Sequence, residues 1–187
     1  MNVIEVEIRS RIKNIDFLRE SLKKTGASFI ENKKQIDKVF GSPIFLDENT
    51  KVIEGGLSAR IRQVDDKIQL EFKEIVREGG GLEVEAGLDR MEDGISFLNK
   101  LNFTEAFTIS KTREIYSYKD FLISVDRVDG LGDFIEVEKM VQNQGEISKA
   151  RGECLGLLKQ LAPDFEIVNE KYGDLMQNII NNKKNGK

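Results

Sequence analysis

The chain has 187 residues, 39 % of them hydrophobic and 33 % charged, and its charges nearly cancel at net −4. That length suits one domain, and the balance of signs excludes a nucleic-acid binder that works by bulk positive charge. There is no histidine and a single cysteine, which excludes imidazole bases, cysteine-rich zinc sites and intrachain disulfides. A metal would have to be held by carboxylates, which suits hard cations such as Mg²⁺, Mn²⁺ or Ca²⁺.

Residues 3–12, which contain IEVEIRSRI (4–12), alternate apolar and charged positions, and this predicts a strand. The chain enters this pattern at once, with no apolar signal region. No apolar run approaches the roughly 18 residues needed to span a bilayer. A cytoplasmic protein without a membrane partner is expected.

A helix is predicted over 15–26, with Phe17, Leu18 and Leu22 on its apolar side and Gly26 as its stop. Residues 29–41 read as extended, 46–56 as a loop. LSARIRQV (57–64) and IQLEFKEI (68–75) read as a hairpin around Asp65, Asp66 and Lys67. The glycines at 79–81 read as a flexible break, and 82–88 alternates again. A short helix on Ile95, Leu98 and Leu101 is predicted over 92–102.

A second hairpin follows, FTISKTREIYSY and FLISVDRV turning over Lys119 and Asp120. Glycines 130 and 132 lead into a strand over 133–140. Helices are predicted over 146–161, where Cys154 reads as a buried structural thiol, and over 172–181. About eight strands and three or four helices result. The expected fold is α+β: an antiparallel eight-stranded sheet, closed or nearly closed into a barrel or tunnel, with the helices packed outside. Residues 1–181 are expected to form one domain, and 182–187 a disordered tail.

The charges repeat strand after strand. Glu5, Glu7, Arg9 and Arg11 share one face of the first strand. Arg60 pairs with Arg62, Glu71 with Lys73, Glu83 with Glu85, Lys111 with Arg113, and Glu136 with Glu138, while Asp126 stands alone. One such strand is an ordinary solvated face. Like charges two apart on one face repel, and repeated acid-x-acid and base-x-base pairs call for external partners. Acid pairs suit divalent cations, and base pairs suit phosphates. With apolar faces covered by outer helices, the charged faces would line a polar lumen holding a polyphosphate and metal ions.

In this order the motifs resemble those of the CYTH superfamily, the triphosphate tunnel metalloenzymes. IEVEIR is similar to its ExExK signature, QIDKVF to its second strand, and LSARIR to its paired-arginine strand. LEFKE is similar to the lysine strand, GLEVEA to the middle acidic pair, and ISKTREIY to the Lys-x-Arg element. ISVDRVDGLGDFIEVE is similar to the Asp strand, Gly turn and final acidic pair, and KYGDLM to a Ser-Tyr-x-x-Leu helix. The resemblance spans about residues 3–176, and its strength lies in the ordered set.

Within the superfamily the chain looks most like class IV adenylyl cyclases. That resemblance implies ATP as substrate, two Mg²⁺ or Mn²⁺ ions, cyclic AMP and pyrophosphate as products, and a homodimer as the assembly. It implies Arg9, Arg11, Arg60, Arg62, Lys73, Lys111 and Arg113 as the triphosphate grip. It implies Glu5, Glu7, Glu83, Glu85, Asp126, Glu136 and Glu138 as the metal-holding set, with Glu5, Glu7, Asp126 and Glu136 at the reaction. Thiamine, nucleoside and inorganic triphosphatases share the scaffold, and a non-catalytic triphosphate-binding module is a third reading. Three positions depart from the pattern. Arg9 stands for the signature lysine and Lys171 for the serine. The complete Glu136-x-Glu138 pair, which some cyclases of this class lack, adds weight to the hydrolases.

Overall fold

A computed structural model describes residues 4–48, 51–76, 82–184 and 186. The glycine break at 79–81 lies outside the described residues. The elements in chain order are β1 (Ile4–Ile12), α1 (Ile15–Thr25), β2 (Ser28–Gly41), β3 (Leu57–Val64), β4 (Lys67–Glu74), β5 (Glu83–Leu88), α2 (Met91–Lys100), β6 (Thr104–Tyr118), β7 (Phe121–Val128), β8 (Gly132–Val141), α3 (Ile147–Leu161), β9 (Glu166–Ile167) and α4 (Tyr172–Lys184). Short 3₁₀ turns lie at Pro43–Phe45 and Gln144–Glu146.

The hydrogen-bonded strand order is β5-β4-β3-β2-β6-β7-β8-β1-β9, and the ladders around β1, β3, β4, β7 and β8 are antiparallel. The α+β class and the antiparallel sheet are as expected. Two details differ. Among the described residues the sheet has nine strands, because β9, which pairs only Ser10 and Arg11, is too short to show an alternation in sequence. The order is also open, with β5 and β9 at its ends, so hydrogen-bonded ladders among the described residues do not close the expected barrel. Closure needs a ladder between end strands, and alternation within one strand carries no information about that partner.

The chain divides into two compact units, residues 1–33 with 111–187, and residues 34–110. In the first, β1, β7 and β8 turn Ile8, Ile12, Ile123, Val125, Ile135 and Val137 to one face, where α1 and α3 cover them with Leu18, Leu22, Leu158 and Leu161. Full burial of each such side chain stabilises by about 1.5–3 kcal/mol. The Asn14 side chain accepts the Phe17 N–H at 2.9 Å, and Gly26 closes α1 in the left-handed region at φ 84°. Cys154 is fully buried beneath β1, its Sγ 3.8 Å from the Val6 carbonyl.

In the second unit, α2 lies over β3, and Leu98 joins Phe40, Ala59, Ile61 and Phe103 in the core. Leu101, expected on the buried side, is half exposed, and Gly94 is buried instead. The helix approaches so closely that a Cβ at Gly94 would lie 2.6 Å from Leu88 Cδ1 and 3.0 Å from Ile61 Cδ1. Hydrophobic periodicity cannot register a contact made by a missing side chain. At the C-terminal end, α4 runs to Lys184, three residues beyond its predicted end. Among the described residues no helix is long and apolar enough to cross a membrane.

Candidate active site

In the first unit the register decides which charges meet. Opposed residues in an antiparallel ladder share a face. Glu7 opposes Glu138 and Arg9 opposes Glu136 across β1 and β8. Ser124 opposes Glu136 across β7 and β8, and Asp126 opposes Arg113 across β6 and β7. The face away from α1 and α3 thereby collects Glu5, Glu7, Arg9, Arg113, Asp126, Glu136 and Glu138, from three separate sequence regions.

Asp126 and Glu136 form the floor of this face. Asp126 is fully buried. It accepts Lys111 Nζ at 3.0 Å, Arg113 Nε at 2.6 Å and the Tyr172 hydroxyl at 2.9 Å. Glu136, also buried, accepts Arg9 Nε at 2.6 Å and a second bond from Arg113. Burial alone would raise the Asp126 carboxyl, but the hydrogen bond from Arg113 and the charges of Lys111 and Arg113 outweigh it and hold it below its ordinary value. Burial lowers Lys111 despite the neighbouring carboxylates. Arg113 overcomes its own desolvation through bonds to Asp126 and Glu136 and is held further toward its charged form. Two acids therefore brace three cations.

Above that floor Glu5, Glu7 and Glu138 converge, each offering a carboxylate oxygen within 4.8 Å of the others. Burial, reinforced by the charges of Glu5 and Glu136, pushes Glu138 up to about 7. Burial and Glu136 also raise Glu7, although Arg9 NH2 donates to it at 2.7 Å. Crowded, partly desolvated carboxylates of this kind are relieved by a cation, and an all-oxygen donor set fits a hard divalent ion.

The sequence placed Arg11 in the same set, yet it turns elsewhere. Its guanidinium bonds the Leu131 carbonyl and lies 4.7 Å from the Phe134 ring centre. Gly132 makes room for it: the residue sits at φ 102°, where a Cβ would lie 3.2 Å from the guanidinium.

The second unit builds its own charged cluster. Arg62 grips Asp37 with two bonds, at 2.8 and 3.0 Å. Arg60 donates to Glu71 through Nε at 2.8 Å and stands 3.6 Å from Asp37. Burial would raise Asp37, but the Arg62 hydrogen bonds and charge prevail and lower it. Lys73 pairs more loosely with Glu83 at 3.5 Å, both half exposed. Glu71, Glu83 and Glu85 form a second three-carboxylate group within 4.8 Å.

Three residues that touch these clusters carried no assigned role in the sequence reading. Asp37 and Glu71 are the buried partners of the arginine pair. Asp37 is a lone acid between Gln35 and Val39, and only the β2–β3 register places it opposite Arg62. Tyr172 comes from α4, far along the chain, and its ring lies 4.6 Å from the Arg9 guanidinium and 5.1 Å from Lys111 Nζ.

The CYTH domain family matches residues 3–166. A Methanocaldococcus jannaschii protein named as a putative adenylate cyclase is 34 % identical over 181 residues, covering 92 % of this chain and 98 % of that protein. Among solved structures, a conserved hypothetical protein of Pyrococcus furiosus superposes with TM-score 0.68 at 26 % identity, covering 90 % of this chain and 98 % of its own. A Hippeastrum protein, described as a putative adenylyl cyclase with a dominant triphosphatase activity, shares the fold with TM-score 0.64 at 15 % identity, covering 94 % of this chain and 96 % of its own. With the ordered motifs, the charged face and these relatives together, the chain belongs to the CYTH domain family.

Proposed function

We propose that this protein is a divalent-metal-dependent enzyme acting on a triphosphate, and that its reaction is the conversion of ATP to cyclic AMP and pyrophosphate. The observation that carries the reading is one juxtaposition in the first unit. Glu5, Glu7 and Glu138 converge on the same sheet face as Arg9, Lys111 and Arg113. Carboxylates alone would suit a cation, and cations alone would suit an anion. Both together suit a phosphate chain that arrives with its metal.

Glu5, Glu7 and Glu138 would hold the ion, Mg²⁺ or Mn²⁺. When bound, it supplies Lewis-acid polarisation of a phosphoryl oxygen and eases deprotonation of the attacking hydroxyl. Arg9 and Arg113 offer planar guanidinium forks to phosphate oxygens, and Lys111 offers a point charge. Asp126 and Glu136 keep these cations aimed and charged, so little reorganisation is needed when substrate binds. Arg60, Arg62 and Lys73 are assigned phosphate binding in the second unit, and Glu83 and Glu85 a metal-assisting role. The name carried by the 34 % identical relative supports the cyclase reading.

One observation favours a second reading, a triphosphate phosphohydrolase. Glu138 completes the Glu136-x-Glu138 pair and stands within the three-carboxylate group, where a further acid suits activation of water. The test is product analysis of ATP and of tripolyphosphate incubated separately with Mg²⁺ and Mn²⁺. Cyclic AMP with pyrophosphate from ATP is the expected result. Phosphate with pyrophosphate from tripolyphosphate, and no cyclic AMP from ATP, would replace the cyclase by the hydrolase. No turnover of either compound would sink both.

A further inference from the structure

Ser124, on β7, stands within the charged face of the first unit. It opposes Glu136 on β8 and Ile115 on β6. Side chains alternate along a strand, so Asp126 shares its side of β7. Ser124 is only 1 % exposed. Its hydroxyl makes no hydrogen bond to any described residue. Its polar neighbours are fully engaged: Asp126 accepts from Lys111, Arg113 and Tyr172, and Glu136 from Arg9 and Arg113. Ser10, as deeply buried on the other side of β1, donates to the Glu166 carbonyl at 2.8 Å. Leaving a buried hydroxyl unpaired costs stability, so a group of this kind calls for a partner.

The register arranges this face in rows about 7 Å apart. In one row Arg113 opposes Asp126. In the next, Ile115, Ser124, Glu136 and Arg9 follow one another across β6, β7, β8 and β1. In the third, Leu122, Glu138 and Glu7 do the same across β7, β8 and β1. Ser124 therefore lies between the floor and the three-carboxylate group. Arg113 must cross β7 to reach Glu136, and Arg9 meets the same carboxylate from β1. Both guanidinium groups thus end in the row of Ser124.

We infer that Ser124 is a further substrate ligand, its hydroxyl donating to an oxygen of the phosphate group that lies between the metal carboxylates and the guanidinium groups of Arg9 and Arg113. The inference rests on the triphosphate reading above and deepens it. A phosphate held by those arginines and by a metal on Glu5, Glu7 and Glu138 has to pass over the row of Ser124. A hydroxyl adds one directed donor there and no charge, so it strengthens the grip without repelling the arginines. Its acceptor would be charged, which makes the bond a strong one. The competing account is steric: a small residue leaves room for Arg113 to cross β7. Alanine leaves the same room and removes only the donor, so it separates the two.

The test compares the full chain with Ser124→Ala in three measurements: calorimetry with tripolyphosphate and with ATP in Mg²⁺, calorimetry with Mn²⁺ alone, and a thermal melt. The expected result is about a tenfold loss of affinity for both phosphate compounds. Mn²⁺ affinity should be unchanged. The melting temperature should be equal or higher, because an unpaired buried hydroxyl has been removed. That combination of weaker binding and undiminished stability is one that a structural role would not produce. Three results would overturn the inference. Unchanged affinity for both compounds would leave the steric account. An equal loss of Mn²⁺ affinity would make Ser124 a metal ligand. A lowered melting temperature would make it a structural residue. If the unaltered protein binds neither phosphate compound, the triphosphate reading fails first and this one falls with it.

Discussion

The hydroxyl of Tyr172, on α4, donates to Oδ2 of Asp126, on β7, at 2.9 Å, and both groups are buried. The bond ties the C-terminal helix to the acid that also holds Lys111 and Arg113. Burial and the charges of Glu136 and Asp126 raise the phenol, which favours its protonated, donating form. Hydrogen bonds to charged groups contribute about 1.5–3 kcal/mol. Tyr172→Phe keeps the ring on Phe134 and loses only this bond, so a stability loss near about 1.5 kcal/mol is expected in denaturant titration. Turnover should fall with KM little changed, because the tyrosine acts through Asp126. A variant as stable and as active as the parent would refute the link.

Replacing Glu5 and Glu7 by Gln should remove metal-dependent turnover while leaving the fold intact. Both side chains sit on the charged face and not among the apolar residues under α1 and α3. Loss of a supporting partner at a metal site costs about 10- to 100-fold in affinity, and loss of two ligands should exceed that. Titration with Mn²⁺ followed by calorimetry, beside a thermal melt, separates the two effects. Persistent activity in the double variant would remove the metal from these residues.

Acid should weaken the second unit through Asp37. The Arg62 bonds hold this carboxyl below its ordinary value despite burial. A depressed carboxyl contributes stability that is present above the unfolded-state value, near about 4, and is lost as pH falls through the lower folded-state value. Asp37→Asn should therefore be less stable than the parent at pH 7, by about 3–5 kcal/mol if Arg60 and Arg62 are left poorly compensated. The gap should narrow as the pH approaches 2. Urea unfolding at several pH values reads both trends, and a gap that widened in acid would contradict the assignment.

Cys154 should resist modification in the folded protein. It is fully buried, and burial pushes its thiol up to about 11, so the reactive thiolate is scarce near neutrality. A thiol reagent should titrate no cysteine in native buffer and one in denaturant. Rapid labelling under native conditions would show that α3 opens readily from β1.

Much of this protein is legible in its sequence. The alternation in IEVEIRSRI specifies a strand with Val6, Ile8 and Ile12 inward and Glu7, Arg9 and Arg11 on the other face, as the burial pattern shows. Asn14 and Gly26 delimit α1 because capping chemistry is local. The paired charges of β1, β3, β6 and β8 mark the polar side of each strand, because residues two apart share a face. These features follow from periodicity and side-chain type, which neighbouring residues alone determine.

Other features exist only in three dimensions. Arg11 alternates in step with Arg9, yet it ends on Phe134 and the Leu131 carbonyl, because its partner across the ladder is a phenylalanine and not an acid. Asp37 and Glu71 look like surface acids until the register sets them against Arg62 and Arg60. Tyr172 reaches Asp126 across 46 positions of chain. The two-residue β9, which pairs only Ser10 and Arg11 of β1, is too short to be written as a pattern. The sequence by itself determined which residues are charged and which way each strand faces. Only the tertiary structure decided which charges meet, because register and chain crossing are set by contacts between distant segments.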